Sequence, residues 1–525
     1  MANKNLFKSI IGKLIPATEA VNDERAPAYA FTPKHTLAQY AATGCLNSTF
    51  YASAEMQLQK VIELCSVIEP EFIARTAVYA RERGFMKDIP ALLCAVLSVK
   101  DRALLSRVFP RVIDNGKMLR NFVQIMRSGV VGRKSLGTAP KRLVCEWLEA
   151  RTDEQVFTAS VGQTPSIADI VRMVHPRPKS AARAALYAFL VGRAVEASSL
   201  PGIVLKYEAF KHGDRTETPD VPFQMLTALE LGVDEWIAIA TNASWQMTRM
   251  NLNTFARHGV FDRKGMAELI AARLCDAKSI AKARAFPYQL MAAYATVDAR
   301  VPAMVREAVQ DAMAIAISNV PAVCGDENSK VYVCPDVSGS MSSAVTGYRK
   351  GASSAVRCID VAALVAAAIV RKNPSAEVLP FEDRVVKVAL NPRDSVITNA
   401  QKLAKVGGGG TNCSAPLTKL NARRAEGELV IFISDNQSWI DAGVDARGGR
   451  GTATLREWNV FRKRNPRARL VCIDVQPYST TQAADREDVL NIGGFSDRIF
   501  EVVSEFAAGR LDPNHWVGVI ESVEL

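Results

Sequence analysis

The chain has 525 residues, 48% hydrophobic and 23% charged, with 65 Lys+Arg against 54 Asp+Glu for a formal charge of +11. That length exceeds a single hydrophobic core and points to several domains. No apolar run reaches the roughly 20 residues of a membrane span, and ten cysteines without C-x-x-C or finger-like spacing exclude a disulfide frame or a zinc site.

The scattered cysteines read as reduced core residues of a cytoplasmic protein. The first stretch, Met1–Ile15, is a short amphipathic piece whose apolar pairs are interrupted by Lys8 and Lys13. No small-residue cleavage site follows it, so a signal peptide is not expected. The charge is unevenly spread: residues 1–326 carry +9 and residues 327–525 only +2. A basic first part suggests a polyanionic partner there, with surplus surface charge for solubility as the plain alternative.

From about Ser53 to Asn319 the apolar residues recur at helical spacing and alternating strand patterns are almost absent. Met56, Val61, Ile62 and Cys65 form one such face, and Phe72, Ile73, Thr76, Ala77 and Ala80 another after Pro70. Segments of about 11–17 residues separated by prolines predict paired antiparallel helices stacked as a degenerate α-solenoid of the HEAT or armadillo sort. Several joints are basic. Arg133 and Lys134 lie in a Gly-rich loop, Lys141 and Arg142 follow Pro140, and Arg172, His175, Arg177 and Lys179 surround two prolines. Arg249, Arg257, His258 and Arg284 come later. Taken singly each is an ordinary solvated charge or a capped loop histidine; as a set they suit a phosphate backbone.

After Pro321 strands and helices alternate. Val331–Cys334, Glu377–Phe381, Val385–Val388, Leu429–Ser434, Ala468–Val475 and Ile499–Val502 read as strands. Asp360–Arg371, Thr398–Val406, Ala453–Arg464 and Ser504–Arg510 read as helices. Near-continuous apolar strands in that order predict a doubly wound, mostly parallel α/β sheet with its ligand edge at the strands' C-terminal ends. Three oxygen-rich turns fall at that edge: Asp336-Val-Ser338-Gly-Ser340, the loop Gly407–Gly410 delivering Thr411, and Ser434-Asp435. Carboxylates and hydroxyls are hard donors suited to Mg²⁺ or Mn²⁺. There is no phosphate-loop motif, and none of the five histidines is placed by a motif beside a nucleophile, so an enzyme is not expected.

The order D-x-S-x-S, then Thr, then Asp closely resembles the metal-ion-dependent adhesion site of von Willebrand factor A domains. That likeness implies that Ser338, Ser340 and Thr411 coordinate Mg²⁺ or another divalent cation. Asp336 and Asp435 would bind directly or through water, with one position left for a partner's carboxylate or solvent. Pro335 removes a strand donor just before the motif, and the insertion 346–354 lengthens the link to the next helix, so metal affinity is the open point. Basic helical repeats followed by such a domain resemble the Ro ribonucleoprotein family, a TROVE module plus a von Willebrand factor A domain. The likeness is carried by Tyr29–Phe31, Leu37–Gly44, Thr49–Ser53, Ala168–Ser180, Met247–Phe255, Ala283–Leu290, Gly410–Pro416 and Phe432–Asn436.

The resemblance implies an N-terminal arm over 1–24, an all-α HEAT-like ring over 25–320 and the A domain over 321–525. It also implies a monomeric, non-catalytic protein that binds small Y RNAs and the single-stranded 3′ ends of misfolded or immature RNA. Such a protein would act in RNA quality control with an exonuclease such as polynucleotide phosphorylase. Position-matching assigns Lys141, Arg142, Arg172, His175 and Lys179 to Y RNA, and Arg249, Arg257 and His258 to the ring's hole. The competing expectation is a metal-dependent scaffold that captures an acidic partner through the A domain.

Overall fold

The computed structural model describes residues 16–283, 287–318, 321–324, 329–348, 356–440, 451–494, 496, 498–511 and 514–525. The amphipathic piece 1–15, most of the insertion at 346–354 and Arg284 lie outside the described residues. Two compact units emerge: Met1–Leu64 with Asn319–Ser522, and Cys65–Ser318 with Val523–Leu525.

Among the described residues the first unit is built on eight strands: β1 (Ala20–Val21), β2 (Pro27–Ala30), β3 (Val331–Pro335), β4 (Glu377–Val378), β5 (Leu429–Ser434), β6 (Arg469–Asp474), β7 (Thr480–Thr481) and β8 (Val489–Gly493). Five of them form a parallel sheet in the order β4-β3-β5-β6-β8. Every residue of β3, β5 and β8 is buried, as expected for strands covered on both faces. One face packs Tyr332, Phe432 and Leu470 against Leu455, Trp458 and Phe461 of helix Ala453–Arg464. Helix Cys358–Lys372 is buried almost throughout, its alanines allowing close approach to β3 and β5.

Pro335 leaves the first turn undisturbed. Its carbonyl accepts from Phe381 N (3.1 Å), and the next residue, Asp336, donates to Ile433 O (2.9 Å), so the β3–β5 ladder continues past the missing donor. The lost N–H falls on the β4 side, beyond the two residue pairs that β3 and β4 share, where the regular ladder has already ended.

Two strand expectations are corrected. Ile499–Val502 is the start of helix Ile499–Ala507, in which Ile499, Val502, Val503 and Phe506 are buried. That i, i+3, i+4, i+7 spacing is helical, whereas four apolar-rich residues alone do not discriminate. The fifth strand is β8, disguised by Asn491, whose side chain is satisfied internally by Ala483 O and Asp485. Val385–Val388 is not a strand: only Val385 bridges back to Phe381 across a tight turn. Helix Thr398–Val406 begins two residues earlier, at Val396, because Ser395 caps it through Thr398 N.

The N-terminal residues also belong to this unit. β2 pairs with β1 on one side and β7 on the other, both antiparallel. Helix Pro33–Thr43, capped by Thr32, packs on β8 and on helix His515–Glu521. Compactness therefore divides the chain within helix Ala54–Val67 and not at residue 25.

The second unit is helical. Pro70–Glu82, Asp88–Lys100, Arg102–Val112, Gly116–Ser128 and Thr138–Glu149 are helices of 11 to 13 residues. Three of these starts have a local cause: Pro70 at N1, Asp101 accepting from Ala103 N and Leu104 N, and Asn115 accepting from Met118 N. The first packs on the second and third, and the second on the fourth, as in a stack of repeats. Farther on the elements shorten, with Asp153–Thr158, Trp245–Met250 and Leu252–Arg257 only 6 residues each, before the 16-residue Ala303–Ser318. These short pieces fall below the expected 11–17 residues, which accounts for the missing sequence period.

Candidate metal centre and nucleic-acid interface

The C-terminal edge of the sheet gathers the oxygen-rich turns. Asp336 follows β3 and is wholly buried, its Oδ1 accepting from Ser338 N (2.8 Å) and its Oδ2 from Ser434 Oγ (2.6 Å). Ser338 Oγ and Ser340 Oγ lie 3.3 Å apart at the start of a 3₁₀ turn. Asp435 follows β5, and the Ser340 hydroxyl reaches its carboxylate.

Thr411 arrives on a glycine loop that needs its glycines. Gly408 donates to Val337 O and Gly339 donates to Gly409 O, both at 2.9 Å, so the loop lies directly on the Asp336–Ser340 turn. Gly407 has φ +89°, and a Cβ there would sit 2.2 Å from Val337 O. The loop is also anchored from outside by Glu382, which accepts from Gly409 N, and by Asp383, which accepts from Gly410 N. Thr411 itself is buried, and its carbonyl accepts from Trp439 N and Ser438 Oγ.

Asp336 and Asp435 disfavour ionisation here. Burial pushes Asp336 up, against hydrogen bonds from Ser338 and Ser434. Burial, then the Asp336 charge, pushes Asp435 up. Asp435 Oδ2 is buried with no hydrogen-bond partner. Two adjacent buried carboxylates with an unused oxygen require a proton or a cation. The Ser338 and Ser340 hydroxyls beside them, with Thr411 brought to the same edge by its loop, are donor types that suit a hard divalent ion.

Four neighbours had no local signal in the sequence. Asp474, at the end of β6, is buried and pushed well up by burial and then by the Asp435 charge; it accepts from Gln39 Nε2 (2.9 Å) and Asn436 Nδ2 (3.1 Å). Tyr51 donates to Glu24 Oε1 (2.6 Å), and its hydroxyl also meets Ser340. Gln39, Tyr51 and Glu24 come from some 300 to 400 residues upstream of the motif, so only spacing in three dimensions reveals them.

In the helical unit the basic residues form one evident cluster. Arg127, Lys134, Lys141 and Arg142 line an open pocket of about 590 Å³, with Gly137, Thr138 and Cys145 between them and Met173 and Val174 at its side. Gly129 (φ +89°) ends helix Gly116–Ser128, and Gly137 (φ +71°) precedes helix Thr138–Glu149, so the loop between them turns back over the pocket. Arg133 lies against Gly137, where a Cβ would come within 3.1 Å of its guanidinium. Arg142 is an exposed i,i+4 partner of Glu146 at 3.5 Å, a weak restraint.

Helix Ile167–Val174, which contributes Met173 and Val174 to the pocket, starts with a Ser166–Asp169 capping box and ends at His175 in the left-handed conformation. His175, Arg177 and Lys179 are exposed along the Pro176–Pro178 segment that follows. Arg172 is exposed but donates to Val191 O (2.7 Å) and meets Asp169 (3.4 Å).

The later candidates differ. Arg249 is largely buried, its Nη1 donating to Gln289 O (2.8 Å), and burial lowers its pKa. His258 stacks on Trp236 at 4.1 Å and 12°, and burial followed by the Arg257 charge lowers its pKa. Both are partly buried, and each side chain already has a partner within the protein. Arg257 is exposed at the end of helix Leu252–Arg257.

A helical-repeat unit with a basic pocket, joined in one chain to a parallel-sheet unit with an oxygen-lined C-terminal edge, defines a two-module protein of TROVE plus von Willebrand factor A type. The Ro60 vWA domain family matches residues 330–507, and the TROVE domain family matches 233–342. The "RNA-binding protein RO60" of Deinococcus radiodurans is 24% identical over 97% of this chain and 100% of its own length. The crystal structure of the Deinococcus radiodurans RO (RSR) protein superposes with a TM-score of 0.61 at 20% identity, covering 91% of this chain and 100% of that one. The chain belongs to the Ro family. The TROVE match begins beyond the Arg127–Lys179 region, so the case for that pocket rests on its own geometry.

Proposed function

We propose that this chain is a non-catalytic RNA-binding protein. It holds a small structured Y RNA on the basic face around Arg127–Lys179 and takes single-stranded 3′ ends of misfolded or immature RNA, acting in quality control beside an exonuclease such as polynucleotide phosphorylase. The observation that carries this reading is the pocket that brings Arg127, Lys134, Lys141 and Arg142 together. Four cations around an open, shallow volume suit successive phosphates of a backbone read by charge and shape. The name of the Deinococcus relative points the same way.

In the sheet unit, Asp336, Ser338, Ser340, Thr411 and Asp435 are proposed to hold Mg²⁺. The ion would supply the positive charge that the paired buried carboxylates lack, and no bond-breaking step is assigned to it. The test is binding of a stem-loop RNA with a single-stranded 3′ tail across a salt series. Tight binding that weakens steeply with salt supports the reading; absent or salt-insensitive binding overturns it.

A further inference from the structure

Residues 462–469 hold five cations (Arg462, Lys463, Arg464, Arg467 and Arg469) and no acid, in a part of the chain that is otherwise nearly balanced in charge. They run from the last turn of helix Ala453–Arg464 into the first residue of β6, at the N-terminal edge of the parallel sheet. Short runs of this density mark polyanion binding; they also suit a helix whose last turn complements its own dipole.

The partners of each cation separate the two readings. Arg462 pairs with Asp488 (2.7 Å) and donates to Pro466 O (3.3 Å), and Arg469 lies over the Phe506 ring at 5.0 Å. Arg464 is exposed and donates only to neutral acceptors, Asn421 Oδ1 (2.5 Å) and Val460 O (3.5 Å). Lys463 and Arg467 are exposed and have no side-chain partner among the described residues. Arg467 opens onto a cleft of about 300 Å³ shared with Glu428, Ser504 and Arg510, the last paired with Glu505.

The neighbouring turn adds a fourth cation. Asn465 joins the two segments, its Nδ2 donating to Ala425 O and its Oδ1 accepting from Gly427 N, both at 3.2 Å. Asn421 joins them again, donating to Glu457 O (2.9 Å) and Oε2 (2.6 Å) while its Oδ1 holds Arg464. Between these two clasps lies Arg424, exposed, at φ +51° and without a side-chain partner among the described residues; Arg423 beside it is taken by Glu377 (2.7 Å). Of the acids here, Glu457 is engaged by Asn421 and Glu428 by Ser329 Oγ (2.5 Å), and Glu426 is exposed; among the described residues none of them pairs with the four cations.

We infer that this edge of the sheet is a second RNA-contacting surface, on which Arg424, Lys463, Arg464 and Arg467 hold a phosphate backbone. Dipole compensation accounts for Lys463 and Arg464 in the helix's last turn, but not for Arg467 or Arg424, which lie outside it. Two observations favour RNA over an acidic protein. Three of the four cations are arginines, whose planar forks match phosphate oxygens in pairs. Among the described residues of these segments only Val460 is a large apolar side chain left exposed, so the apolar anchor that protein partners use is lacking. The surface carries RNA binding into the sheet unit and stands whether or not the helical unit's pocket binds RNA.

The test uses the full-length chain and a stem-loop RNA with a single-stranded tail, bound over about 50 to 200 mM salt. The background is the chain in which Lys134, Lys141 and Arg142 are already glutamine, so that the helical pocket no longer dominates. Arg424, Lys463 and Arg467 are then replaced together by glutamine, leaving Arg464 and its bond to Asn421 in place. RNA is expected to stay bound in the background at low salt, and the second triple to lower the slope of log affinity against log salt by a further about 2 to 3. Arg424→Lys, Lys463→Arg and Arg467→Lys together keep the charge and should keep the slope; thermal unfolding at the background's temperature shows that each variant is folded. No residual binding in the background, or a slope that the second triple leaves unchanged, overturns the inference. The helical pocket is judged separately, by the first triple against wild type. Polyglutamate is the rival ligand: if it binds as tightly as RNA and is lost in the same triple, the edge belongs to an acidic protein and the assignment to RNA is overturned.

Discussion

Replacing Lys134, Lys141 and Arg142 together by glutamine removes three of the four cations around the helical unit's pocket without touching a buried side chain's apolar contacts. If each cation neutralises one phosphate, the plot of log affinity against log salt loses about 0.9 of slope per duplex contact, or about 0.7 per single-stranded one. The triple variant should therefore be shallower than wild type by about 2 to 3. Between 50 and 200 mM salt, wild-type affinity should fall by about 40-fold more than the variant's if the contacts are to duplex. The Arg142–Glu146 pair, both side chains about 60% exposed, does not alter this, since an exposed ion pair is worth little. The assay is filter binding or fluorescence anisotropy with a tailed stem-loop RNA at four or more salt concentrations. Arg249→Gln is the internal control: its guanidinium is engaged with Gln289 O, so stability should fall and the slope should not change. Equal slopes for the triple variant and wild type would refute the assignment of this pocket to the RNA backbone.

Three further outcomes follow from the same structure. Gly407→Ala should lower both thermal stability and Mn²⁺ affinity: a Cβ 2.2 Å from the Val337 carbonyl must push the Thr411 loop off the Asp336 turn, and at φ +89° alanine is strained by more than about 1 kcal/mol; calorimetric titration with unaltered affinity would contradict it. Arg183→Met should cost about 3–5 kcal/mol in urea unfolding, because the buried guanidinium bonds Asp153, Leu148 O and Arg151 O and its loss leaves Asp153 and Glu149 facing each other; a cost under about 1 kcal/mol would show that the acids re-solvate freely. Burial would raise the carboxyl of Asp488, but hydrogen bonds from Arg486 and Trp458 and the Arg462 charge hold it below its ordinary value. A depressed carboxylate stabilises above its unfolded pKa of about 3.9 and loses that contribution as pH falls through the folded value. The stability gap between wild type and Asp488→Asn should thus be full at pH 7 and narrowed at pH 3; a gap unchanged at pH 3 would contradict it.

Much of the architecture is written locally. The shift from helical spacing to apolar strands after Pro321 reflects backbone periodicity, which each segment carries by itself. Asp336, Ser338, Ser340, Thr411 and Asp435 were readable for the same reason: strand ends in a parallel sheet converge on one edge, so oxygen donors placed there must meet. Where two local patterns compete, tertiary packing decided. Ile499–Val502 supports strand or helix until Val503 and Phe506 are seen buried on the same face, and Asn491 is acceptable in β8 only because Ala483 O and Asp485 receive its amide.

Charge is the least local property of all. Arg249 and Lys141 are equally basic in the sequence, yet one is spent on a neighbouring backbone carbonyl and the other opens onto a pocket. Glu24, Tyr51 and Gln39 carry no motif, because their meaning comes from a sheet edge assembled by residues some 300 to 400 positions away. The sequence by itself determined the two modules and the oxygen-donor set. Only the tertiary structure decided which cations gather and which carboxylates meet at the sheet edge, since electrostatic energies depend on neighbours in space and burial, neither of which is encoded within a few residues of the group concerned.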